Sequence, residues 1–297
     1  MRLASARICA MVAIFWIAGP VSAQSDVETL KLTSRVFGNT RTIRVLLPPG
    51  YHDPNNGRRK YPVFYFNDGI IVFKSDRIGI EEVVHRLIET RQIPPIIVVG
   101  IDNGGSTDQT KNPGLDRANE YLPYPDAGFP GHSYTPELSQ PIGQRYPEFL
   151  IDEVMPLIQG RYRVARGARN TGLGGFSYGG VAALFTAMSK RGMIGKLLLE
   201  STPLWIGSEQ QLLRDARAVR KWPSRVYIGL GTSESPEQAV NAEGARGVES
   251  LRAIIAAASR NSKVKIVKED GAKHEPPAWR GRLPEALRFL FAGDAAR

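Results

Sequence analysis

The feature that most constrains the fold is a series of short apolar runs, most of them followed by a stretch with helical spacing. The run "PPIIVVGID" at 94–102 is almost entirely apolar, as expected of a parallel strand covered on both faces. Further strands are predicted at 28–36, 41–47, 61–69, 171–176, 196–201, 225–231 and 263–268. Helices are predicted at 80–92, 146–162, 178–191, 208–220, 240–260 and 277–292. This alternation predicts an α/β fold in which helices cover both faces of a mostly parallel sheet.

The segment 103–142 does not follow this alternation. It is rich in Gly, Pro, Asp and Asn, and we predict that it is irregular. Because it is too long for a plain connector, it is expected to form a wall or lid of a site. No stretch resembles an interdomain linker, so residues 24–297 are predicted to form one catalytic domain.

Residues 1–23 have the pattern of a signal peptide. Two arginines precede an apolar stretch at 8–18, and "VSA" at 21–23 fits the small residues of a cleavage site. The apolar stretch is short for a membrane span, although an uncleaved anchor or a buried strand is the alternative interpretation. We expect cleavage after Ala23, export to the periplasm or the exterior, and no membrane span in the mature chain.

Cysteine content and charge exclude several classes of protein. The single cysteine, Cys9, lies within the expected leader, so the mature chain would have no disulfide, no thiolate nucleophile and no cysteine-based zinc site. The net charge is +10, but the basic residues are scattered and no zinc-finger or RRM-type signature is present. The positive net charge is therefore interpreted as that of a basic exported protein, and no nucleic-acid partner is expected.

One serine is flanked by glycines in "GLGGFSYGG". Gly175, Ser177 and Gly179 form a G-x-S-x-G motif between a predicted strand and a predicted helix. At such a turn the serine hydroxyl stands above the sheet, and the N–H of Tyr178 would face a developing oxyanion. The alternative is a glycine-rich packing turn. The position between strand and helix favours a nucleophile.

A serine nucleophile needs a base, since its free hydroxyl reacts poorly. For a nucleophile at this kind of turn, the expected order along the chain is serine, acid and then histidine. His274 is the only one of the four histidines that follows Ser177. It lies in "EDGAKHEPPAW", a loop after the last predicted strand, whereas a surface histidine is the alternative. His85 lies in a predicted helix and is expected to be structural, and His132 in the long segment is a candidate substrate contact.

The third member of a triad would be an acid that orients the histidine. Glu234 follows the strand at 225–231 and is the preferred candidate, because its carboxylate would fix the imidazole tautomer. Glu200 and Asp270 are the rivals, and a Ser–His dyad without a strong acid remains an alternative.

A second oxyanion donor is expected in "NDGI" after an early central strand. The N–H of Ile70 is the candidate, next to the turn that Gly69 permits. The alternative is that "NDG" is simply a turn, with Asn67 and Asp68 fixing its shape.

The chain resembles the esterase D and enterochelin-esterase-like branch of the α/β-hydrolases, which also contains mycolyltransferases of the antigen 85 type. The matching stretches are "FYFNDGI", "VVGIDN", "DRANEYLPY", "YPEFLIDEVMPLIQGRYRV", "GLGGFSYGG", "ESTPLW", "IGLGTSE" and "GAKHEPPAWRGRLPEALRFLF". The resemblance implies a Ser177–Glu234–His274 triad with oxyanion donors at Ile70 and Tyr178.

The same resemblance implies three further site residues. Arg117 and Glu120, in "DRANEY", would organise the site or bind substrate, and Trp205, in "TPLW", would line an acyl or aryl pocket. Two stretches depart from the usual pattern of the family: "FND" replaces an aliphatic pair before Asp, and "NEY" stands where "EL" is usual. The departures leave the triad intact and the substrate open.

The sequence therefore predicts an exported serine esterase that cleaves carboxylic esters through an acyl-enzyme, with a small-molecule ester as partner and without metal or cofactor. An acyltransferase with the same triad and a non-catalytic binding protein on the same scaffold are the alternatives. The substrate is left open among a siderophore lactone, an aryl ester on a plant polysaccharide and an acylated sugar. The sequence does not predict an oligomeric state.

Overall fold

The computed structural model describes residues 27–104, 113–126 and 141–293. They build one eight-stranded sheet with the strand order β1-β2-β4-β3-β5-β6-β7-β8. β2 pairs antiparallel with both β1 and β4, and all other neighbours pair in parallel. The predicted signal peptide and its cleavage site, Cys9 and the candidate contact His132 lie outside the described residues.

The strands are β1 Val27–Thr33, β2 Thr40–Leu46, β3 Val63–Asn67, β4 Ile97–Ile101, β5 Thr171–Phe176, β6 Lys196–Glu200, β7 Arg225–Gly231 and β8 Lys263–Glu269. All eight predicted strands are present. β8 is an edge strand whose residues are half-buried or exposed, whereas every residue of β3, β4 and β6 is buried. The central strands therefore correspond to the mostly apolar runs that the sequence displays.

The helices are α1 Gly69–Phe73, α2 Ile80–Glu89, α3 Pro113–Tyr121, α4 Tyr146–Glu148, α5 Met155–Arg161, α6 Tyr178–Ser189, α7 Gln211–Ala216, α8 Gln238–Ala258 and α9 Pro276–Phe291. A π-helical stretch, Phe149–Val154, joins α4 to α5 next to Pro156. Among the described residues, no helix has both the length and the apolarity that crossing a membrane requires.

The prediction that 103–142 is irregular throughout is wrong, because α3 lies within it. The polar residues that give this stretch a loop-like composition are anchored to the sheet. Arg117 pairs with Asp68 and Glu120 pairs with Arg41, while Tyr121 is fully buried. Buried ion pairs replace the apolar spacing by which a helix is usually recognised.

Two hydrophobic cores cover the two faces of the sheet. Side chains alternate along each strand, so in β3 Val63 and Tyr65 enter one core while Phe64 and Phe66 enter the other. The first core contains side chains of α3, α5, α6, α7 and α8, and the second contains those of α1, α2 and α9. Helices therefore cover both faces of the sheet, as the sequence predicts.

Parallel pairing brings the carboxyl ends of β3, β5, β6, β7 and β8 to one edge of the sheet. The chain leaves these strands at residues 68, 177, 201, 232 and 270. Ligands of open α/β sheets bind at this edge, and the candidate nucleophile, base and acid all follow one of these strands.

Candidate active site

The candidate nucleophile Ser177 lies at a sharp turn between β5 and α6. Its backbone has φ 52° and ψ −130°, a strained conformation for a residue other than glycine. A Cβ on Gly175 would lie 2.3 Å from the carbonyl carbon of Gly179. A Cβ on Gly180 would collide with the side chain of Thr202, which follows β6. The glycine at 175 therefore lets α6 pass this close to β5, as in the elbow that exposes a nucleophilic serine, and the glycine at 180 leaves room for Thr202.

A cavity of about 370 Å³ opens beside this turn, and Ser177, Glu234 and His274 all line it. The structure thus brings together three residues that are far apart in sequence. Within the described part of the chain no hydrogen bond joins the side chains of Ser177 and His274. Such hydrogen bonds are often long in a free enzyme and tighten when substrate binds.

His274 and Glu234 form a hydrogen-bonded pair. The Nδ1 of His274 lies 3.2 Å from Oε2 of Glu234, and the imidazole is the more exposed partner, at 36% against 12% for the carboxylate side chain. A carboxylate only accepts hydrogen bonds, so the pair places the proton on Nδ1 and leaves Nε2 free to accept another. This is the tautomer that a general base requires.

The other oxygen of Glu234 is held from two sides. The backbone N–H of Gly231 donates to Oε1 at 2.8 Å, and the hydroxyl of Ser201 donates to the same oxygen. Burial opposes ionisation, but the hydrogen bonds from His274, Ser201 and Gly231 outweigh it and lower the pKa of Glu234. The carboxylate is therefore ionised at neutral pH.

The two rival acids have other partners. Glu200 is fully buried, and its Oε2 accepts two hydrogen bonds, at 2.9 and 3.0 Å, from the guanidinium of Arg282. Asp270 is exposed and accepts a hydrogen bond from the hydroxyl of Thr232. Neither carboxylate is hydrogen-bonded to His274, so the geometry favours Glu234 as the residue that orients the histidine.

The two candidate oxyanion donors both lie in the first turn of a helix. Tyr178 begins α6 and Ile70 is the second residue of α1, so neither N–H is required by its own helix. Tyr178 lines the cavity, whereas Ile70 is half-buried outside the cavity lining, two residues after Asp68. Asp68 has φ 59°, which bends the chain sharply between β3 and α1.

Asn67 and Asp68 join this bend to the rest of the site. The amide of Asn67 donates to the carbonyl of Gly179 at 2.7 Å, which fixes the bend against α6. Asp68 accepts two hydrogen bonds, both 2.7 Å long, from Arg117 and a third from Asn103. The residues expected to shape the turn therefore also connect the loop after β3 to α6 and α3.

Arg117 and Glu120 have different surroundings. Arg117 lines the cavity and also donates to the carbonyl of Phe176 at 3.3 Å, directly before Ser177. Glu120 is buried outside the cavity lining, where it binds Arg41 and Asn39. Of the two roles expected for these residues, the position of Arg117 fits substrate contact and that of Glu120 fits organisation of the site.

The cavity lining includes five apolar or aromatic residues: Pro203, Trp205, Leu230, Pro236 and Val240. Trp205 therefore lines the same cavity as Ser177, and its role in an acyl or aryl pocket stays a prediction. The hydroxyl of Tyr178 donates to Asp126 at 2.6 Å, and both residues also line the cavity.

Two of the remaining expectations concern histidine and metal. His85 lies in α2, at a distance in the fold from the cavity lining, as expected of a structural residue. Among the residues that the structure describes, no cluster of three or more His, Cys, Asp or Glu side chains is arranged to hold a metal ion.

A comparison with protein families identifies the class of enzyme. The family described as "Putative esterase" matches residues 34–290. The chain belongs to this esterase family. The esterase is a carboxylic ester hydrolase, and the predicted membership of an esterase family and the predicted α/β-hydrolase fold are both confirmed.

Similar proteins have related names but low sequence identity. The esterase is 24% identical over 272 residues to an endo-1,4-beta-xylanase/feruloyl esterase of Xylanibacter ruminicola, covering 90% of this chain but only 31% of that protein. It resembles the crystal structure of an IroE-like serine hydrolase from Shewanella oneidensis, with a TM-score of 0.74, 21% identity and coverage of 91% and 82%. It also resembles the enterobactin esterase FES from Shigella flexneri, with a TM-score of 0.67, 20% identity and coverage of 91% and 60%.

The sequence did not point to four polar or aromatic residues of this esterase: Asp126 and Ser201 in the cavity lining, Asp68 in its role as partner of Arg117, and Trp279 next to His274. Trp279 lies five residues after His274, in the first turns of α9, and this closeness in sequence is the one local signal available. The other contacts join segments distant in sequence, so no spacing along the chain reveals them.

Proposed function

We propose that the chain is a serine esterase that works through Ser177, His274 and Glu234. The observation that carries the proposal is the strained turn at Ser177 on the wall of the cavity that the hydrogen-bonded pair His274–Glu234 also lines. A strained nucleophile, a base in the required tautomer and an ionised acid in one cavity are the parts of an acyl-transfer site.

In the first half of the reaction Nε2 of His274 takes the hydroxyl proton of Ser177, and Oγ bonds to the ester carbonyl carbon. The N–H groups of Tyr178 and Ile70 hold the oxyanion, while Glu234 stabilises the imidazolium. The C–O bond to the alcohol breaks as His274 gives it the proton. In the second half water repeats these steps on the acyl-enzyme, and the carboxylic acid leaves.

We further propose that the preferred esters have an aromatic acyl group. The apolar lining residues Pro203, Trp205, Leu230, Pro236 and Val240 suit an apolar group, and the cavity of about 370 Å³ is of the size that holds small molecules. The names of two similar proteins, a feruloyl esterase and an enterobactin esterase solved with 2,3-di-hydroxy-N-benzoyl-glycine, support the same class.

Labelling with a fluorophosphonate tests the nucleophile. We expect the wild-type protein to be labelled at Ser177 and Ser177→Ala to be unlabelled. Ser177→Ala should lower kcat by about 10⁴-fold or more, and adding His274→Ala should cost little further, because the two side chains act as a unit. Additive losses, or labelling at another residue, would contradict the proposal.

A pair of substrates with the same alcohol tests the acyl class. We expect kcat/KM for methyl ferulate to exceed that for methyl butyrate, and Trp205→Ala to reduce this preference. Equal values for both esters would contradict an aromatic pocket. Including an acceptor sugar in the assay distinguishes hydrolysis from acyl transfer, since a sugar ester as main product would reassign the enzyme as an acyltransferase.

We also propose that the protein is exported with removal of residues 1–23. The positive start, the apolar stretch at 8–18 and the small residues before position 24 support this. Fractionation of cells followed by amino-terminal sequencing tests it. A cytoplasmic protein that retains its first residues would contradict it.

A further inference from the structure

A chain of hydrogen bonds extends the acid–base pair beyond Glu234. The indole N–H of Trp279 donates to Oγ of Ser201 at 2.8 Å. The hydroxyl of Ser201 then donates to Oε1 of Glu234, whose Oε2 faces Nδ1 of His274. Four side chains, one from α9 and three from the segments that follow β6, β7 and β8, are thus linked in one line that ends at the candidate base.

The chemistry of these groups determines which one donates and which one accepts in each hydrogen bond. An indole N–H only donates, so Ser201 must use a lone pair to accept from Trp279. An ionised carboxylate only accepts, so the single hydroxyl proton of Ser201 points to Glu234. Since Trp279 is 7% exposed and Ser201 3% exposed, water competes little for either hydrogen bond.

The backbone of Ser201 is strained to reach this position. Its φ is 48°, in the left-handed region that disfavours a residue with a side chain, while its N–H still donates to the carbonyl of Gly229 at 2.9 Å. Glycine would adopt this conformation without strain. Strain of this kind persists where the surrounding structure imposes it, often at functional sites.

The indole that holds Ser201 also contacts His274 directly. Its ring stacks on Phe176, with ring centroids 4.7 Å apart and an angle of 10° between the planes. The imidazole of His274 meets it edge-to-face at 5.2 Å. Trp279 therefore contacts the base through its ring and the acid through Ser201, and Phe176, the residue before Ser177, supports it from behind.

We propose that Ser201 is a positioning residue that fixes the carboxylate of Glu234 for His274, and that Trp279 acts on Glu234 through it. The inference rests on the proposed Ser177–His274–Glu234 mechanism. Without the hydroxyl, Oε1 of Glu234 keeps only the N–H of Gly231, and the carboxylate gains rotational freedom. The effect falls on the chemical step, since the imidazolium forms only there.

Two substitutions of Ser201 test this role. Ser201→Ala keeps the strain and removes the hydroxyl, whereas Ser201→Gly removes both. We expect each to lower kcat by about tenfold or more while KM changes by less than about twofold, as for a lost hydrogen bond to a charged group in the transition state. Ser201→Gly is expected to unfold at a higher temperature than Ser201→Ala, because both lose the hydroxyl and glycine alone accepts the positive φ without strain.

A matched control removes another serine hydrogen bond. The hydroxyl of Ser224 donates to the carbonyl of Gly195 at 2.9 Å, at the opposite edge of the sheet. Ser224→Ala is expected to leave both kcat and KM unchanged. Normal kcat in Ser201→Gly with low kcat in Ser201→Ala would show that the hydroxyl of Ser201 is not required, and would overturn the proposal.

A double-mutant cycle tests the link to Trp279. Trp279→Phe keeps an aromatic ring against Phe176 and His274 but removes the N–H. We expect it to lower kcat several-fold alone and by less than about twofold in the Ser201→Ala background, because its effect passes through the hydroxyl. Independent, multiplicative losses would overturn this link.

Fluorophosphonate labelling separates failure of this inference from failure of the proposed mechanism. If the wild-type protein is not labelled at Ser177, the proposed mechanism fails, and this inference with it. If it is labelled and both Ser201 variants keep wild-type kcat, or change KM alone, the mechanism stands and the positioning role is overturned.

Discussion

Glu200 and Glu234 are two carboxylates at the same edge of the sheet, one at the end of β6 and one just beyond the end of β7. Glu200 is fully buried, and its hydrogen bonds come from Arg282 through one oxygen. Glu234 lines the cavity and is held through both oxygens, by His274 on one side and by Ser201 and Gly231 on the other.

The pKa values of the two carboxylates are shifted in opposite directions. Burial raises the pKa of Glu200 to about 7, although Arg282 opposes the shift. The pKa of Glu234 is lowered, because its hydrogen bonds outweigh the effect of burial. The degree of burial therefore does not decide which carboxylate can orient the histidine. The carboxylate with donors on both oxygens and access to the cavity is the one suited to an imidazole.

Among the substitutions that separate the two carboxylates, Glu234→Gln is expected to have the largest effect. An amide in this place can donate to the imidazole and favour the wrong tautomer, so we expect kcat to fall by about 10³–10⁴-fold. Steady-state kinetics with a p-nitrophenyl ester near neutral pH measures this.

The controls for that prediction are the rival acids. Glu200→Gln and Asp270→Asn should each lower kcat by less than about tenfold, since neither carboxylate is hydrogen-bonded to His274. A larger loss for Glu200→Gln than for Glu234→Gln would reverse the comparison.

The next effect concerns the stability of the folded chain. Arg282→Met leaves Glu200 buried without a cation, which should lower the free energy of unfolding by about 3–5 kcal/mol. Unfolding in urea measures it. The double variant Arg282→Met with Glu200→Gln should recover a large part of the loss. A loss under about 1 kcal/mol for the single variant would mean that Glu200 is not the charge that Arg282 balances.

The smallest effect is a difference in pH dependence. A raised pKa means that the protonated form of Glu200 stabilises the fold at low pH and that this contribution is lost as pH rises from 4.5 to about 7. Glu200→Gln should therefore gain stability relative to the wild type over this range, by about 3 kcal/mol.

Glu234 should show the opposite sign. Because the pKa of Glu234 is lowered by folding, its ionised form stabilises the fold at pH values above the ordinary pKa of a glutamate. This contribution is lost as the pH falls through the lowered pKa. Glu234→Gln should be less stable than the wild type at neutral pH, and the difference should close in acid. Thermal unfolding across pH measures both slopes, and slopes of the same sign would contradict the comparison.

Much of the fold could be predicted from the sequence because its central strands are short apolar runs with clear limits. The strands at 171–176 and 225–231 begin and end at the predicted residues. The helix α3 could not be predicted in this way. Its inward side chains, Arg117 and Glu120, are charged, and their partners Asp68 and Arg41 lie far away in the chain.

The residues of the candidate site that could be predicted are those that lie shortly after the end of a predicted strand. Ser177, Glu234 and His274 each occupy such a place, and the order of the chain alone suggests their association. Ser201 and Trp279 were missed for a physical reason. Their hydrogen bond joins residues 78 positions apart, and it depends on a backbone conformation at Ser201 that the sequence does not signal.

β8 is the outermost strand on its side of the sheet, and this position has a consequence for how activity is lost. His274 follows this strand, which among the described strands pairs with β7 alone and is the least buried of the parallel ones. Local opening of an edge requires less free energy than unfolding of the whole core. Heating should therefore displace the base, and reversibly inactivate the enzyme, while both hydrophobic cores are still packed.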